Sequence, residues 1–284
     1  MGRTFVAIAF GILAISSAAC SQASVVTADA QAPGTEYVRY EQNGTTSWGI
    51  LEDEVIHQLS DAPYLGGGRT GETVQRSAVA LRAPVDPINV YMTALNFRSH
   101  ISGEPAPYPG LFLVPPGSII GPEEQMLIPT DSENFHYEAE AVVVIGRDCD
   151  NVSIQEAPSC VFGVSAGNDG SARDWQGADI QWARAKGAKT FNQVGPVLVA
   201  GLDPNSLEIE GRLNGERVQG ENTRDMIYNF DHMVSYISRY FPLEAGDLIW
   251  SGTMGQTRQV QVGDTYEVEI DGVGVLRTEF GQGI

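Results

Sequence analysis

The stretch "HYEAEAVVVIG", residues 136–146, places two glutamates two positions apart in a run of apolar residues. In a β-strand, residues i and i+2 face the same side, so Glu138 and Glu140 are predicted to project together. Apolar residues occupy both alternations of the rest of the run, which predicts a central strand buried on both faces. Many short strands with few helical patterns around it indicate a mainly β chain of the α+β class.

Burying these two glutamates requires a compensating charge. An unpaired buried carboxylate costs several kcal/mol, and mutual repulsion drives at least one of a pair to take a proton. A bound cation removes both penalties. Asp169 ends a second apolar strand in "SAGNDGSARDWQ" and is the candidate third ligand. Three oxygen donors without a thiolate favour Mg²⁺ or Mn²⁺. The alternative is a solvated sheet face, and His136 is a candidate fourth ligand or a surface histidine.

Composition limits the classes of partner. The chain has 284 residues, 42% of them apolar, which suffices for one substantial core or for a small domain beside a larger one. With 36 acidic and 17 basic residues, the formal charge is -19. Such a surface repels nucleic acid phosphates and anionic headgroups, so no nucleic acid partner is expected. A site for an anionic substrate must use local Arg, Lys or metal charges.

The N-terminus has the pattern of an export signal. "MGRTFVAIAFGILAISSAAC" combines one cation, an apolar stretch from Phe5 to Ile15 and small residues. The apolar stretch is too short for a permanent span, which needs roughly 20 residues. Residues 1–19 are therefore predicted to be a signal peptide, with Cys20 either lipidated, as in bacterial lipoproteins, or simply following the cleavage site. Both alternatives predict a periplasmic protein that contacts the membrane only through a possible N-terminal lipid.

Three segments follow the signal peptide. Residues 20–35 are small and polar without periodicity, which predicts a flexible tether. Residues 36–85 contain Asn43 and Gly44 between alternating apolar positions, a strong hairpin signal, and predict a small β-rich N-terminal domain. The larger domain is predicted over residues 86–284.

Short apolar runs bounded by Gly and Pro predict the strands of the larger domain. They cover residues 89–95, 111–114, 137–146, 161–168, 196–201, 207–213, 247–252 and 265–270. Helical patterns are fewer and lie chiefly at 153–160 and 229–241. Cys149 and Cys160 are predicted either to form a disulfide in an oxidising compartment or to be two small buried residues.

Motifs in five parts of the chain connect it to a known family. They are "YEAEAVVVIGR", "NDGSARDWQ", "QWARAK" with "TFNQVGP", "NGERVQGENTRDMIYNFDHMVSYIS" and "LEAGDLIWSGT". In this order they resemble the fumarylacetoacetate hydrolase family, from about Tyr37 to Phe280. The resemblance implies a mixed β-sandwich roll, a homodimer, and a divalent ion held by Glu138, Glu140 and Asp169. It also implies short 2-oxo or β-diketo acids as substrates.

The resemblance implies roles for individual residues as well. Lys186 matches the family lysine that faces the substrate. Arg173 and Gln176 match polar groups near the side that binds the substrate carboxylate, although Arg173 could instead simply pair with a nearby acid. His100 matches a histidine that in several members acts with a glutamate on a mobile lid, here Glu104; a surface loop position is the alternative.

Thr253 matches the threonine of the family's T-G-T turn, whereas three positions depart from the family pattern. Val114 stands where the family commonly has a lysine, so a cation expected near the substrate is missing. Glu104 follows His100 by four residues instead of three, and Met254 replaces a common proline. These departures affect the expected substrate more than the expected metal site.

The expected function is metal-dependent hydrolysis of a C–C bond in a short oxo acid, of the acylpyruvate or fumarylacetoacetate type. His100, oriented by Glu104, would take a proton from water, and Lys186 would stabilise oxyanion character. The same constellation supports decarboxylation or keto–enol isomerisation, because all three reactions pass through an enolate that a metal stabilises. A non-catalytic lipoprotein that binds oxo acids is the alternative from another class.

Overall fold

The computed structural model describes residues 1–2 and 32–283. The predicted signal peptide from residue 3 onward, the lipidation site Cys20 and the tether up to residue 31 lie outside the described residues. Within the described ranges, no helix is long and apolar enough to span a bilayer. The end of the predicted tether is hydrogen-bonded to the sheet, because Gly34 N donates to the Ala200 carbonyl at 2.9 Å and Ala200 N donates to the Thr35 carbonyl at 3.1 Å.

Short strands dominate the described part of the chain. The strands are β1 Glu36–Gln42, β2 Thr45–Glu52, β3 Val55–Leu59, β4 Arg69–Gln75, β5 Ala80–Arg82, β6 Val90–Ala94, β7 Gly110–Leu113, β8 Ile119–Ile120, β9 Met126–Ile128, β10 Phe135–His136, β11 Ala139–Ile145, β12 Val161–Asp169, β13 Ser171–Ala172, β14 Asn192–Ala200, β15 Glu208–Leu213, β16 Glu216–Asn222, β17 Leu248–Trp250, β18 Thr265–Ile270 and β19 Gly274–Gln282. The α-helices are α1 Arg173–Gln176, α2 Ala183–Gly187 and α3 Phe230–Ser238.

Among the described residues, the strands form three sheets. The largest has twelve strands in the order β4-β3-β2-β1-β14-β12-β11-β17-β6-β7, with β5 paired to β1 and β8 to β14. The second has five strands in the order β16-β15-β18-β19-β9, and β10 pairs with β13. Both parallel and antiparallel pairs occur, for example β17 with β6 and β11 with β12. The prediction of a mainly β, mixed-sheet α+β fold is confirmed.

Strand β11 lies between two hydrophobic clusters. Ala141 and Val143 belong to the first cluster, with apolar residues of the five-stranded sheet and of α3. Val142 and Val144 belong to the second, with residues of β1, β2, β6 and β17. None of these four side chains is exposed. The predicted central strand with two covered faces is therefore confirmed, although it begins two residues later than predicted.

The N-terminal residues form the predicted hairpin and then join the large sheet. Asn43 and Gly44 connect β1 to β2 with φ of 52° and 78°, as a type I′ turn requires. On its other side β1 pairs with β14, which aligns Tyr37 with Leu198. The strands of the N-terminal segment thus extend the sheet that contains β11.

The pattern at residues 229–241 corresponds to α3. Asn229 caps this helix, because its side chain accepts a hydrogen bond from His232 N at 3.0 Å. The apolar residues of its buried face are Phe230, Met233, Val234 and Ile237. Phe241, predicted on the same face, lies beyond the end of the helix and is 41% exposed.

The helix predicted at residues 153–160 is wrong in type and length. Only a 3₁₀ turn forms there, at Ala157–Cys160. Pro158 has no N–H to donate, so it cannot sit inside an α-helix that began at residue 153. The structure joins Cys149 to Cys160 by a disulfide, which links this turn to the loop after β11.

Candidate metal centre and substrate cleft

Strand register brings three carboxylates together. The antiparallel pairing of β11 with β12 aligns Ala139 with Asn168, so Glu138 comes opposite Asp169, the last residue of β12. Asp169 N donates to the Glu138 carbonyl at 3.0 Å. One carboxylate oxygen from each of Glu138, Glu140 and Asp169 lies within 4.8 Å of the others, and all three side chains are buried. We call this group the acidic cluster.

Two cations of the chain contact the acidic cluster. Lys186 lies in α2 and places Nζ 2.6 Å from Asp169 Oδ2, with a second contact to Glu138 Oε2. Arg173, the first residue of α1, contacts Glu138 Oε1 through Nη2. Both cations lie in the segment between β13 and β14. Since β12 and β14 pair antiparallel with Asp169 opposite Asn192, this segment begins and ends next to Asp169. Glu140 contacts neither cation and instead accepts a hydrogen bond from Gly252 N at 2.8 Å.

Burial and charge shift the pKa values of the acidic cluster in different directions. Burial, with the neighbouring charges of Asp169 and Glu138, raises the pKa of Glu140 well above its ordinary value. Burial also raises the pKa of Asp169, to about 8, although Lys186 opposes the shift. Burial acts the same way on Glu138, but the charges of Arg173 and Lys186 outweigh it and hold its pKa below the usual range. Two of the three acids are therefore short of positive charge.

The acidic cluster fits a divalent cation. Asp169 Oδ1 is buried and has no hydrogen-bond partner in the described structure. A buried carboxylate oxygen without a partner is costly, and a metal ion supplies the missing partner. The donors are three carboxylates, which suit hard cations such as Mg²⁺ or Mn²⁺. The residues predicted as ligands thus form a candidate metal centre.

His136 is outside this group. Its Nδ1 lies 2.8 Å from Thr257 Oγ1, and its Nε2 lies 2.8 Å from Asn134 Oδ1. Burial, together with the charge of Arg173, lowers the pKa of His136 to about 4. Because both ring nitrogens already have hydrogen-bond partners, we exclude His136 from the candidate ligands.

Gln219, in β16 of the five-stranded sheet, holds the strand that carries Glu140. Its Oε1 accepts from Ala139 N at 3.2 Å, and its Nε2 donates to Thr253 Oγ1 at 2.9 Å and to the Met254 carbonyl. Thr253 Oγ1 in turn donates to the Ala139 carbonyl at 3.0 Å. Sequence reasoning missed Gln219. Its only signal was a polar residue at an inward position of a strand, within one of the motifs quoted above.

A cleft with a volume of ≈ 220 Å³ opens over the acidic cluster. The predicted residues Lys186, Arg173, Gln176, Thr253 and His100 all line it. Gln176 orients the guanidinium, because its Oε1 accepts from Arg173 Nη1 at 2.8 Å. Its lining also includes apolar side chains, among them the rings of Phe112 and Trp182. The cleft therefore joins a charged floor to a hydrophobic side.

Of the predicted histidine–glutamate pair, only the histidine is at the cleft. His100 Nδ1 lies 2.6 Å from the Gly255 carbonyl, which can only accept, so Nδ1 carries the proton and Nε2 is the basic nitrogen. Glu104 is turned to solvent, with 94% of its side chain exposed, and its ion-pair partner is Arg98 at 3.7 Å. The structure does not place Glu104 at His100.

Comparison with known proteins assigns the family. Residues 89–280 match the model of the fumarylacetoacetate (FAA) hydrolase C-terminal domain, and residues 36–84 match the Rv2993c-like N-terminal domain. The chain belongs to the fumarylacetoacetate hydrolase family. The boundary between the two matches lies close to the predicted domain boundary.

Members of the fumarylacetoacetate hydrolase family with several activities resemble the chain. Mitochondrial oxaloacetate tautomerase Fahd2a of Rattus norvegicus is 31% identical over 254 residues, covering 84% of this chain and 77% of the relative. The structure of 5-carboxymethyl-2-hydroxymuconate delta-isomerase from Mycobacterium smegmatis matches with a TM-score of 0.82 and 30% identity, covering 87% and 100% of the two chains. Fumarylacetoacetate hydrolase from Exiguobacterium antarcticum matches with a TM-score of 0.80 and 27% identity, covering 88% and 100%. These similarities support an enzymatic function.

Val114, one of the three departures from the fumarylacetoacetate hydrolase pattern, is part of the core. It is 4% exposed and packs in the same hydrophobic cluster as Phe112. The two permanent cations that line the described cleft are Arg173 and Lys186, and both contact the acidic cluster. The position of the family lysine thus supplies no charge to a substrate here.

Proposed function

We propose that the protein is a divalent-metal-dependent hydrolase that cleaves a C–C bond in a short 2-oxo or β-diketo acid. The observation that carries this proposal is the convergence of Glu138, Glu140 and Asp169 at the floor of a cleft, with Asp169 Oδ1 left unpaired. Membership of the fumarylacetoacetate hydrolase family supports it.

The acidic cluster would hold Mg²⁺ or Mn²⁺. Such an ion supplies Lewis-acid stabilisation of the negative charge that develops on the oxygens of an oxo acid. The chain's own cations, Lys186 and Arg173, add fixed positive charge at the same floor of the cleft. Because Lys186 is buried and Arg173 is largely shielded, their attraction for a developing oxyanion is screened less than it would be in water.

His100 is the candidate general base. With Nδ1 donating to Gly255, the neutral ring leaves Nε2 to accept a proton from water. The water oxygen then bonds to the distal ketone carbon, and the C–C bond to the oxo-acid fragment breaks. Its electron pair stays on that fragment as an enolate, which takes the proton back from His100. The acyl group leaves as a carboxylic acid.

Keto–enol tautomerisation is a second candidate. A hydrolytic dyad needs Glu104 beside His100, whereas the structure shows Glu104 exposed and paired with Arg98. Moving a proton between carbon and oxygen of an oxo acid needs only one base and a stabilised enolate. The relatives named as an oxaloacetate tautomerase and a delta-isomerase favour the same reading.

A substrate assay on the mature chain tests both candidates. With Mg²⁺ or Mn²⁺, hydrolysis predicts that an acylpyruvate loses its enol absorbance and releases an equal amount of pyruvate. Tautomerisation predicts faster ketonisation of enol-oxaloacetate without cleavage of either compound. A chelator should abolish either activity, and addition of the ion should restore it.

Two variants control this assay. Glu138→Ala removes a candidate ligand and should abolish turnover, whereas Glu133→Ala changes an exposed glutamate nearby and should leave it intact. Full turnover by Glu138→Ala would exclude the proposed site. Metal-dependent binding of oxo acids without any turnover would instead support a binding protein and contradict both enzymatic candidates.

A further inference from the structure

An apolar groove continues the cleft away from the acidic cluster. It has a volume of ≈ 400 Å³ and runs along β7, which is an edge strand of the large sheet. Four residues line both spaces: Ala94, Leu95, Phe112 and Trp182. A molecule whose head lies in the cleft can therefore extend into the groove without leaving the protein surface.

The groove carries no charge. Its lining consists of Ala94, Leu95, Gly110, Leu111, Phe112, Leu113, Gln181, Trp182 and Ala183. Phe112 and Trp182 form the junction with the cleft, their rings 5.2 Å apart and at 72° to each other. Leu95 is 59% exposed and Leu113 is 47% exposed, so part of this apolar surface faces water. Such a surface favours a hydrocarbon group and offers no counter-charge to a carboxylate.

Backbone conformation marks the same groove. Among the described non-glycine residues with positive φ, four are Asn or Asp, which tolerate this region in turns. Of the other four, three line the groove: Leu95, Gln181 and Trp182, with φ of 57°, 55° and 58°. Side chains of this kind in left-handed backbone are strained, and such strain collects at ligand sites. Gln181 and Trp182 are consecutive, and Trp182 lines both the groove and the cleft.

The net charge of the cleft also favours a ligand with a single carboxylate. Three carboxylates are opposed by Lys186, Arg173 and the two charges of the proposed ion, which leaves one net positive charge. One carboxylate on the substrate neutralises it. A second carboxylate, in the groove, would lie on a surface that no described cation lines.

We propose that the groove binds an uncharged hydrocarbon substituent of the substrate, and that the protein selects 2-oxo monocarboxylates with an apolar tail over dicarboxylates. This rests on the proposed function, because the oxo-acid head must bind at the acidic cluster. The tail passes between Phe112 and Leu95 and lies along β7. Burial of the tail supplies affinity that a carboxylate-ended chain of the same length lacks.

Calorimetry with unreactive ligands tests this selectivity. The mature protein, saturated with Mn²⁺, is titrated with linear 2-oxo acids from pyruvate to 2-oxooctanoate, which have no bond that the proposed hydrolysis could cleave. Each added methylene should tighten binding by about two- to fourfold until the groove is full. A 2-oxo dicarboxylate of equal length should bind at least about tenfold more weakly than its monocarboxylate, since its second charge loses water without gaining a partner.

One variant should reverse the preference. Leu113→Lys adds a cation to the groove at a partly exposed edge position, so dicarboxylates should gain affinity while long monocarboxylates lose it. Leu65→Lys is the matched control: this leucine is 59% exposed in the N-terminal segment and lines neither space, so it should preserve the wild-type order. If Leu113→Lys does not fold, the ligand series on the wild-type protein still tests the proposal.

The outcomes separate this inference from the proposed function. If pyruvate binds only with metal but tail length has no effect, the groove proposal is wrong and the proposed function stands. If pyruvate shows no metal-dependent binding, the proposed function fails and the groove proposal fails with it. If light scattering shows that Leu113→Lys dissociates a dimer while tail selectivity is absent in the wild type, a second copy of the chain covers the groove.

Discussion

The acidic cluster and Asp247 both bury carboxylates in the large sheet, but their oxygen atoms meet different partners. Asp247 precedes β17 and is fully buried. It accepts hydrogen bonds from Asn89 N at 2.9 Å, Asn89 Nδ2 at 3.0 Å and Glu244 N at 2.9 Å. All of these donors are neutral, and they join the starts of β6 and β17, which run parallel from there. Burial raises the pKa of Asp247 despite them.

The acidic cluster lacks such an arrangement. It brings three like charges within 4.8 Å, relies on Lys186 and Arg173, and still leaves Asp169 Oδ1 without a partner. A buried acid is thus not by itself evidence of function. An acid satisfied by neutral backbone and amide donors holds strands together, whereas acids that need additional positive charge indicate a cation site.

Replacement of Lys186 tests this difference most strongly. Lys186→Met removes the ammonium that contacts two buried carboxylates, so the metal-free protein should lose about 3 kcal/mol of its free energy of unfolding or more. Because a divalent ion can replace the positive charge that the lysine supplied, saturating Mn²⁺ should raise the Tm of the variant more than that of the wild type. Thermal unfolding with and without the ion measures both effects.

Lys189→Met is the matched control for that experiment. It makes the same substitution at an exposed lysine three residues further along the chain and should change neither quantity. Equal stability of metal-free wild type and Lys186→Met would show that the acidic cluster does not depend on a cation. The contrast with Asp247 would then be lost.

Asp247→Ala should have the opposite profile and a smaller effect. It leaves three donors at the starts of β6 and β17 without an acceptor, so the free energy of unfolding should fall by about 2 kcal/mol. No ion should restore it, and metal affinity should match the wild type. Chemical denaturation and metal calorimetry measure these properties, with Asp150→Ala, at an exposed aspartate, as the control. Rescue of Asp247→Ala by Mn²⁺ would break the comparison.

Local pattern was sufficient for the fold class and for the position of the three acids. Alternation with a period of two is a local property, and it predicted which faces of β11 are covered. The sequence was enough to predict Asp169 beside Glu138 and Glu140, because Asp169 ends the strand that pairs with β11. Family resemblance identified Lys186, but not that its ammonium contacts Glu138 and Asp169 directly.

Other features depend on contacts that no local pattern contains. The link from Gln219 to Ala139 spans 80 positions and two sheets. The groove depends on left-handed backbone at Gln181 and Trp182, against the local preference of both residues. Glu104 lies between Gly103, with φ of 94°, and a proline, so helical spacing did not predict its position. Export, lipidation at Cys20 and the homodimer remain predictions.

Gln219 offers a finer test, because this neutral side chain supports the acidic cluster without belonging to it. Gln219→Leu removes the donor to Thr253, which follows the Gly252 that donates to Glu140. It also removes the acceptor for Ala139 N, which precedes Glu140 in β11. Metal affinity should fall about tenfold, as is typical for partners that orient ligands, and saturating ion should restore kcat. Calorimetry and a metal titration of turnover measure these effects, with exposed Gln261→Leu as the control. Wild-type metal affinity in Gln219→Leu would mean that Gly252 N alone is enough to position Glu140.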